Sequence, residues 1–189
     1  MPIHLDVEKS IDTQTVIQIK QEAEQVWRPY HVRFVWPDAA PAVPIRGVTL
    51  EAILARRIDA GGRIAKAAVL GFTTIDASGV GGGPIHVSLD ATRDLLTRGT
   101  ASSDSPAYPN DIARALGRIL AHEIGHRLLG LPAHDRAGLM RSAFRPGELR
   151  EPGRQHFTLT SVGISQLDRR LPQLRGDDRL MERASCHPD

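Results

Sequence analysis

The stretch of sequence that decides the fold covers residues 110–140 and reads NDIARALGRILAHEIGHRLLGLPAHDRAGLM. Gly130 interrupts it, because glycine readily takes the left-handed conformation that ends a helix. Before that glycine, apolar residues recur three and four positions apart, which is the period of an α-helix: Ile112, Leu116, Ile119 and Leu120. The pattern predicts one buried helix over about residues 110–129, with Asn110 or Asp111 as its N-cap.

Two histidines in this helix are spaced to share one face. His122 and His126 are four residues apart, so both imidazoles can point toward one position in space. Glu123 lies beside them and can reach a water molecule held there. Two neutral imidazole nitrogens and an adjacent carboxylate are the groups that a hydrolytic zinc site requires. We therefore predict His122 and His126 as metal ligands and Glu123 as the catalytic base. The alternative is a pair of surface histidines on an ordinary helix.

A catalytic zinc ion needs a third protein ligand beside its water. Pro132 follows Gly130 and prevents the helix from continuing, so the chain can turn back toward the metal and deliver His134. Asp135 is an alternative, because a carboxylate oxygen also binds zinc. A second alternative takes Glu148 or Glu151 from farther along, although both lie among arginines and prolines that predict a loop.

The stretch that begins at His122 resembles the metzincin superfamily of zinc peptidases. Their pattern is H-E-x-x-H-x-x-G-x-x-H, followed by a tight turn with a methionine beneath the metal. Gly130 and His134 match the glycine and the third histidine, but each interval is one residue longer here. This stretched form, with Gly138-Leu139-Met140-Arg141 behind it, resembles a group of small bacterial metzincin-like proteins. The resemblance implies His134 as third ligand and Met140 as a floor under the site; the alternative for Met140 is core filler.

The remaining sequence predicts strands and two further helices. An amphipathic helix is expected over Ile11–Trp27, and a closing helix over Thr160–Leu171, capped by Thr160 or Ser161. Gly79–Pro84 is expected to be a loop, mobile and beside the site; it lacks the Gly-Lys-Ser/Thr ending of a phosphate-binding loop, and no clear helix follows it. Predicted strands are Ile3–Val7, Val32–Trp36, Val48–Leu54 (which is also compatible with a helix), Val69–Ile75 and Ile85–Leu89.

The resemblance implies an α+β, zincin-like fold. A mixed, mostly parallel sheet of four to five strands would pack on two long helices, with a cleft between the edge of the sheet and the helix that carries the histidines. The strand around His86 would then border this cleft, and a peptide could pair with it through backbone hydrogen bonds. His86 itself is expected to be a strand residue and not a ligand.

Length and composition fit one domain over residues 1–174, followed by a polar, frayed tail over residues 175–189. No apolar run is long enough to span a membrane. The N-terminus lacks the basic and apolar regions of a signal peptide, which predicts a cytoplasmic protein if the chain is complete and a secreted one if a leader was removed. The single Cys186 excludes an internal disulfide.

The charge pattern does not favour a nucleic-acid partner. The net charge is +2, and aromatic residues make up 4% of the chain, whereas nucleic-acid surfaces usually combine a basic stripe with stacking aromatics. The arginines are therefore expected to be solvated, and the expected partner is a peptide or protein substrate.

The resemblance implies a zinc-dependent metalloendopeptidase with one catalytic Zn²⁺ ion, in which Glu123 acts as general base on a zinc-bound water. Many metzincins add a tyrosine near the methionine turn, but neither Tyr30 nor Tyr108 follows Met140, and Arg141 is a candidate for a second oxyanion donor. Two other functions stay open. Zinc-dependent endoribonucleases also use three histidines but lack a glutamate after the first. A non-catalytic zinc site would take a fourth ligand such as Asp135 or Cys186.

Overall fold

The computed structural model describes residues 1–37, 49–58, 69–76, 81–98 and 109–174. The predicted tail and Cys186 lie outside these residues, as do Val48, Gly79, Val80 and Tyr108, so the domain boundary at residue 174 stays a prediction. The α-helices and strands, in chain order, are β1 (Ile3–Val7), α1 (Thr13–Trp27), β2 (Leu50–Ala55), β3 (Gly71–Ile75), β4 (Gly81–Ser88), α2 (Leu89–Arg98), α3 (Pro109–Leu129), α4 (Pro146–Arg150) and α5 (Ser161–Leu174), and a 3₁₀-helix over Arg28–Tyr30 follows α1.

The described strands form a four-stranded mixed sheet in the order β1-β2-β4-β3. β1, β2 and β4 are parallel, and β3 is antiparallel to β4 and lies at one edge. β2 alternates in burial, with Leu50, Ala52 and Leu54 facing the core. The predicted α+β class with a mostly parallel sheet is thus confirmed.

The core lies between this sheet and the two long helices. α1 is capped by Asp12, whose carboxylate accepts a hydrogen bond from the Thr15 amide (2.9 Å). Its buried face ends at Trp27, and the indole Nε1–H donates to the Ala121 carbonyl of α3 (3.0 Å). α3 is buried along most of its length, because it contacts α1 as well as β3 and β4. In the described part of the chain, no helix has the length and apolar character needed to cross a membrane.

The predicted strand Val32–Trp36 is wrong. Of this segment only Val35 pairs, in a single bridge with Pro2. The Val35 amide donates to the Met1 carbonyl (2.9 Å), and the Val35 carbonyl accepts from the Ile3 amide (2.8 Å). The next bond of a parallel ladder would need an amide hydrogen at residue 37, which is a proline, so the pairing does not extend beyond Val35.

The predicted loop Gly79–Pro84 is also wrong for the residues that are described. Gly81 and Gly82 belong to β4 and pair with Ile75 and Thr74 of β3. Backbone pairing needs no side chain, so a run of glycines carries little sequence signal for a strand. A helix does follow: α2 begins at Leu89, the residue predicted to end the strand.

The start of α3 and the presence of α4 also differ from prediction. α3 begins at Pro109, so Asn110 and Asp111 lie in its first turn and do not cap it; proline suits the first helical position because its missing amide hydrogen would be unpaired there anyway. α4 forms where a charged loop was expected, because Pro146 begins it and the Glu148 carboxylate accepts from the Arg145 amide (2.8 Å). At α5, the Thr160 hydroxyl accepts from the Gly163 amide (3.1 Å), which confirms Thr160 as cap.

Candidate metal centre

Helix α3 presents His122 and His126 on one buried face, each with 6% of its surface exposed. Each ring is oriented by a backbone carbonyl that follows the helix. The Nδ1–H of His122 donates to the Leu139 carbonyl (2.7 Å), and the Nδ1–H of His126 donates to the Leu131 carbonyl (2.7 Å). A carbonyl oxygen can only accept, so both rings carry their proton on Nδ1. The Nε2 atoms are therefore the free electron-pair donors.

These two Nε2 atoms lie 3.1 Å apart. Burial lowers the pKa of both rings, that of His122 to about 4, so neither Nε2 carries a proton at neutral pH. Two unprotonated nitrogens cannot hydrogen-bond to each other, and their lone pairs repel. A cation between them removes the conflict. Two imidazoles at zinc-ligand distance on a tetrahedral ion have nitrogens ~3.3 Å apart, so this spacing fits zinc.

The chain after α3 brings a third imidazole to the same place. Gly130 has φ +64°, and its amide donates to the His126 carbonyl (2.9 Å), which closes the helix. The His134 ring then lies nearly parallel to that of His122, with the ring centres 5.3 Å apart. Ligand atoms of the three histidines all lie within 4.8 Å of one another. Among the described residues, no other group of three histidine, cysteine or acidic side chains has this arrangement.

The alternative ligands are bound elsewhere. The Asp135 carboxylate accepts from the Thr160 hydroxyl (2.7 Å) at the start of α5. Glu148 binds the guanidinium of Arg141, whose Nη1 lies 3.1 Å from the carboxylate. Glu151 accepts from the Gln155 amide (2.9 Å). The ion pair with Glu148 also occupies Arg141, the residue considered as an oxyanion donor.

Met140 is buried against the helix that carries His122 and His126. It is 3% exposed, and its sulfur packs against Gly125, one residue before His126. A Cβ atom at Gly125 would lie 2.4 Å from the Met140 Sδ, so only glycine allows this contact. The turn that carries Met140 is held by a hydrogen bond from the Leu139 amide to the Thr158 carbonyl (2.8 Å). Met140 therefore packs against the segment of α3 between His122 and His126, and its role as a floor under the site stays a prediction.

Glu123 lies beside the histidines and is 6% exposed. Burial raises the pKa of its carboxyl group to about 8, because removal from water disfavours the charged form. A carboxyl group with a pKa near neutrality can both accept and return a proton at physiological pH. Glu123 borders both halves of the cleft that passes the histidines.

The two halves of this cleft differ in character. One, of about 360 Å³, lies along β3 and is bordered by Glu123, His126 and His134. The other, of about 510 Å³, is lined largely by apolar side chains. Its walls include Leu95 from α2, Ile119 from α3 and Phe144 from the segment after Met140. The sequence pattern offered no signal for these walls, because they come from distant parts of the chain.

The strand that borders the cleft is β3, which corrects the prediction for the strand around His86. β4 is paired on both sides, since His86 lies opposite Ile53 of β2 and Phe72 of β3. The His86 ring stacks on that of Phe72, with centres 4.4 Å apart, and burial lowers its pKa. His86 is thus a strand residue, as predicted, but its backbone is not available to a peptide.

This chain resembles known proteins in structure and not in sequence. No protein-family model matches this chain, and no curated protein matches it. Among solved structures, the crystal structure of archaemetzincin from Methanopyrus kandleri is similar, with a TM-score of 0.57 and 18% sequence identity. The alignment covers 90% of this chain and 95% of that one. At this identity the likeness establishes architecture and not activity, so this chain shares the overall fold of archaemetzincin.

Proposed function

We propose that this protein is a zinc-dependent metalloendopeptidase. The observation that carries the proposal is the convergence of His122, His126 and His134, whose ligand atoms lie within 4.8 Å of one another, next to the buried carboxyl group of Glu123. The fold similarity to archaemetzincin supports the same assignment. The three histidines would hold one zinc ion and leave a coordination position open toward the cleft, because His134 is exposed.

A bound zinc ion supplies Lewis acidity, which polarises a carbonyl group and makes water more acidic. The protein supplies the proton transfers. Glu123 takes a proton from the attacking water and returns it to the departing amine. The Leu131 and Leu139 carbonyls keep the His126 and His122 rings in the tautomer whose Nε2 is unprotonated and would be able to bind the ion.

The shape of the cleft supports an extended peptide as substrate. β3 is an edge strand of the described sheet, so its outer backbone groups can pair with a peptide strand. The apolar cavity between Leu95, Ile119 and Phe144 starts at Glu123 and His134. It would accept a large apolar side chain next to the cleaved bond. An endoribonuclease would need no such apolar cavity, and Glu123 directly after the first histidine also argues against that alternative.

The test combines metal analysis with cleavage of a mixed-peptide library by the wild type, Glu123→Gln and His134→Ala. We expect about one equivalent of zinc in the wild type and in Glu123→Gln, with cleavage falling at least about 100-fold in Glu123→Gln because the general base is lost. His134→Ala should bind zinc more weakly, since one of three ligands is missing. Full activity in Glu123→Gln, or unchanged zinc affinity in His134→Ala, would contradict the assignment of these residues.

A further inference from the structure

One arginine connects the metal-binding helix to the edge of the sheet. Arg127 directly follows His126 on α3, and its side chain extends to the beginning of β4. Its Nη1 donates to the Gly83 carbonyl (3.1 Å). The guanidinium also packs against Gly81, where an added Cβ would lie 2.1 Å from Cζ and from Nε. The guanidinium thus occupies the space that a side chain at position 81 would need.

This contact is made at the part of β4 that holds β3 in place. Gly81 and Gly82 pair with Ile75 and Thr74 at the end of β3, and the Thr74 hydroxyl donates to the Gly82 carbonyl. β4 is the sole strand partner of β3 among the described residues. Whatever anchors the start of β4 to α3 therefore also anchors the end of β3.

The other end of β3 touches α3 directly. A Cβ atom at Gly71 would lie 3.0 Å from the Glu123 Cγ and 3.0 Å from the Ile119 Cγ2, so the backbone at Gly71 rests on the helix. β3 is thus held against α3 at Gly71, and at its far end through Arg127. The half of the cleft bordered by β3, Glu123 and His134 lies between these two attachments.

We propose that Arg127 is a positioning residue for substrate: its contacts with Gly81 and Gly83 set the separation between β3 and α3. That separation is the width available to a peptide between the edge strand and the histidines. A guanidinium suits this role because its flat face packs on a glycine backbone while its N–H groups donate sideways, which a lysine ammonium does not do. The proposal depends on the proposed function in that it takes the substrate to be a peptide.

The test compares Arg127→Met, which keeps the side-chain length but removes the donors, with Arg114→Met as matched control. Arg114 also lies on α3 and donates to a backbone carbonyl, that of Arg150 (2.6 Å), and its ion pair is with Asp111 on the same helix, so its bonded partners lie outside β3 and β4. Hydrogen exchange is measured on the metal-loaded proteins without substrate, zinc affinity by competition with a chelator, and kcat and KM with a cleaved peptide.

For Arg127→Met we expect faster exchange confined to residues 71–76 and 81–83, and zinc affinity within about twofold of the wild type. KM should rise about tenfold, the equivalent of ~1.4 kcal/mol, which is close to the lower limit for one lost hydrogen bond to a charged group. The value of kcat should change less than about threefold, because Glu123 and the histidines are untouched. Arg114→Met should leave the exchange of β3 and KM unchanged.

Unchanged exchange in β3 and β4 would overturn the proposal, as would a fall in zinc affinity and kcat with KM unaltered. Gly81→Ala tests the same contact by changing its glycine partner, because the added Cβ displaces the Arg127 guanidinium. This variant replaces Arg127→Met in the exchange measurement if Arg127→Met does not fold. If the wild type cleaves no peptide, the proposed function fails. The exchange measurement still decides whether Arg127 holds the edge strand, since it needs no substrate.

Discussion

Replacement of Arg118 by methionine should destabilise the protein strongly. Arg118 lies on α3, one turn before His122, and is completely buried. Its Nε donates to the Glu22 carboxylate of α1 (2.8 Å). Its two terminal nitrogens donate to the carbonyls of Glu148 (2.6 Å) and Gly153 (2.7 Å). The guanidinium also stacks over the Phe157 ring, 4.4 Å from its centre. One side chain therefore joins α1, α3 and the segment around α4.

The expected cost follows from what Arg118→Met leaves behind. Removal of one partner of a buried ion pair costs ~3–5 kcal/mol, because the other charge stays buried without compensation. Arg154 also binds Glu22 and compensates part of this, so we expect the lower end, about 3 kcal/mol. For a chain of this size the melting temperature changes ~2–4 °C per kcal/mol, which predicts a decrease of about 6–12 °C.

The assay is urea unfolding together with thermal melting, both in excess chelator so that metal binding does not contribute. Arg169→Met on α5 is the control; its guanidinium bonds to Gln166 (2.6 Å) on the exposed face, and it should cost less than ~0.5 kcal/mol. The double variant Glu22→Met/Arg118→Met should lose less than the sum of the single variants. A loss below ~1 kcal/mol in Arg118→Met, or strict additivity, would refute the reasoning.

Two further predictions concern the metal centre. In metal-free protein the raised pKa of Glu123 (about 8) contributes stability that is present below its unfolded pKa near 4.5 and is lost as the pH rises through 8. The lowered pKa of His122 (about 4) contributes stability that is present above 6.5 and is lost as the pH falls through 4. The free energy of unfolding should therefore fall from pH 6.5 to 8, by at most ~1.4 kcal/mol per pH unit. Urea titrations should find this fall abolished in Glu123→Gln. If the fall persists in that variant, Glu123 is not the group that causes it. Gly125→Ala should lower the free energy of unfolding in urea by ~1–3 kcal/mol, because its Cβ forces the Met140 sulfur away. An unchanged free energy of unfolding would mean that the Met140 side chain can move aside without cost.

Local patterns predicted much of the fold and the candidate site. Helix spacing located α3 to within one residue of its observed start, and an apolar-polar alternation located β1 over Ile3–Val7. The spacing of His122 and His126 placed them on one face, with Glu123 beside them, because four residues are close to one helical turn. Such predictions succeed because the interactions concerned join residues near each other in the chain.

Contacts between distant segments decided the rest. The sequence alone left His134 and Asp135 as alternative ligands; the Thr160 hydroxyl, 25 residues away, binds Asp135, while His134 lies with the other two imidazoles. The order β1-β2-β4-β3 places β3 at the edge beside the histidines, and strand order depends on pairing that local composition does not encode. Glycines 81–83 carry no side-chain pattern, so the packing of Arg127 against them follows from the folded arrangement alone. Sequence by itself therefore determined which side chains can bind a metal, and tertiary structure decided which strand and which apolar side chains border the cleft beside them.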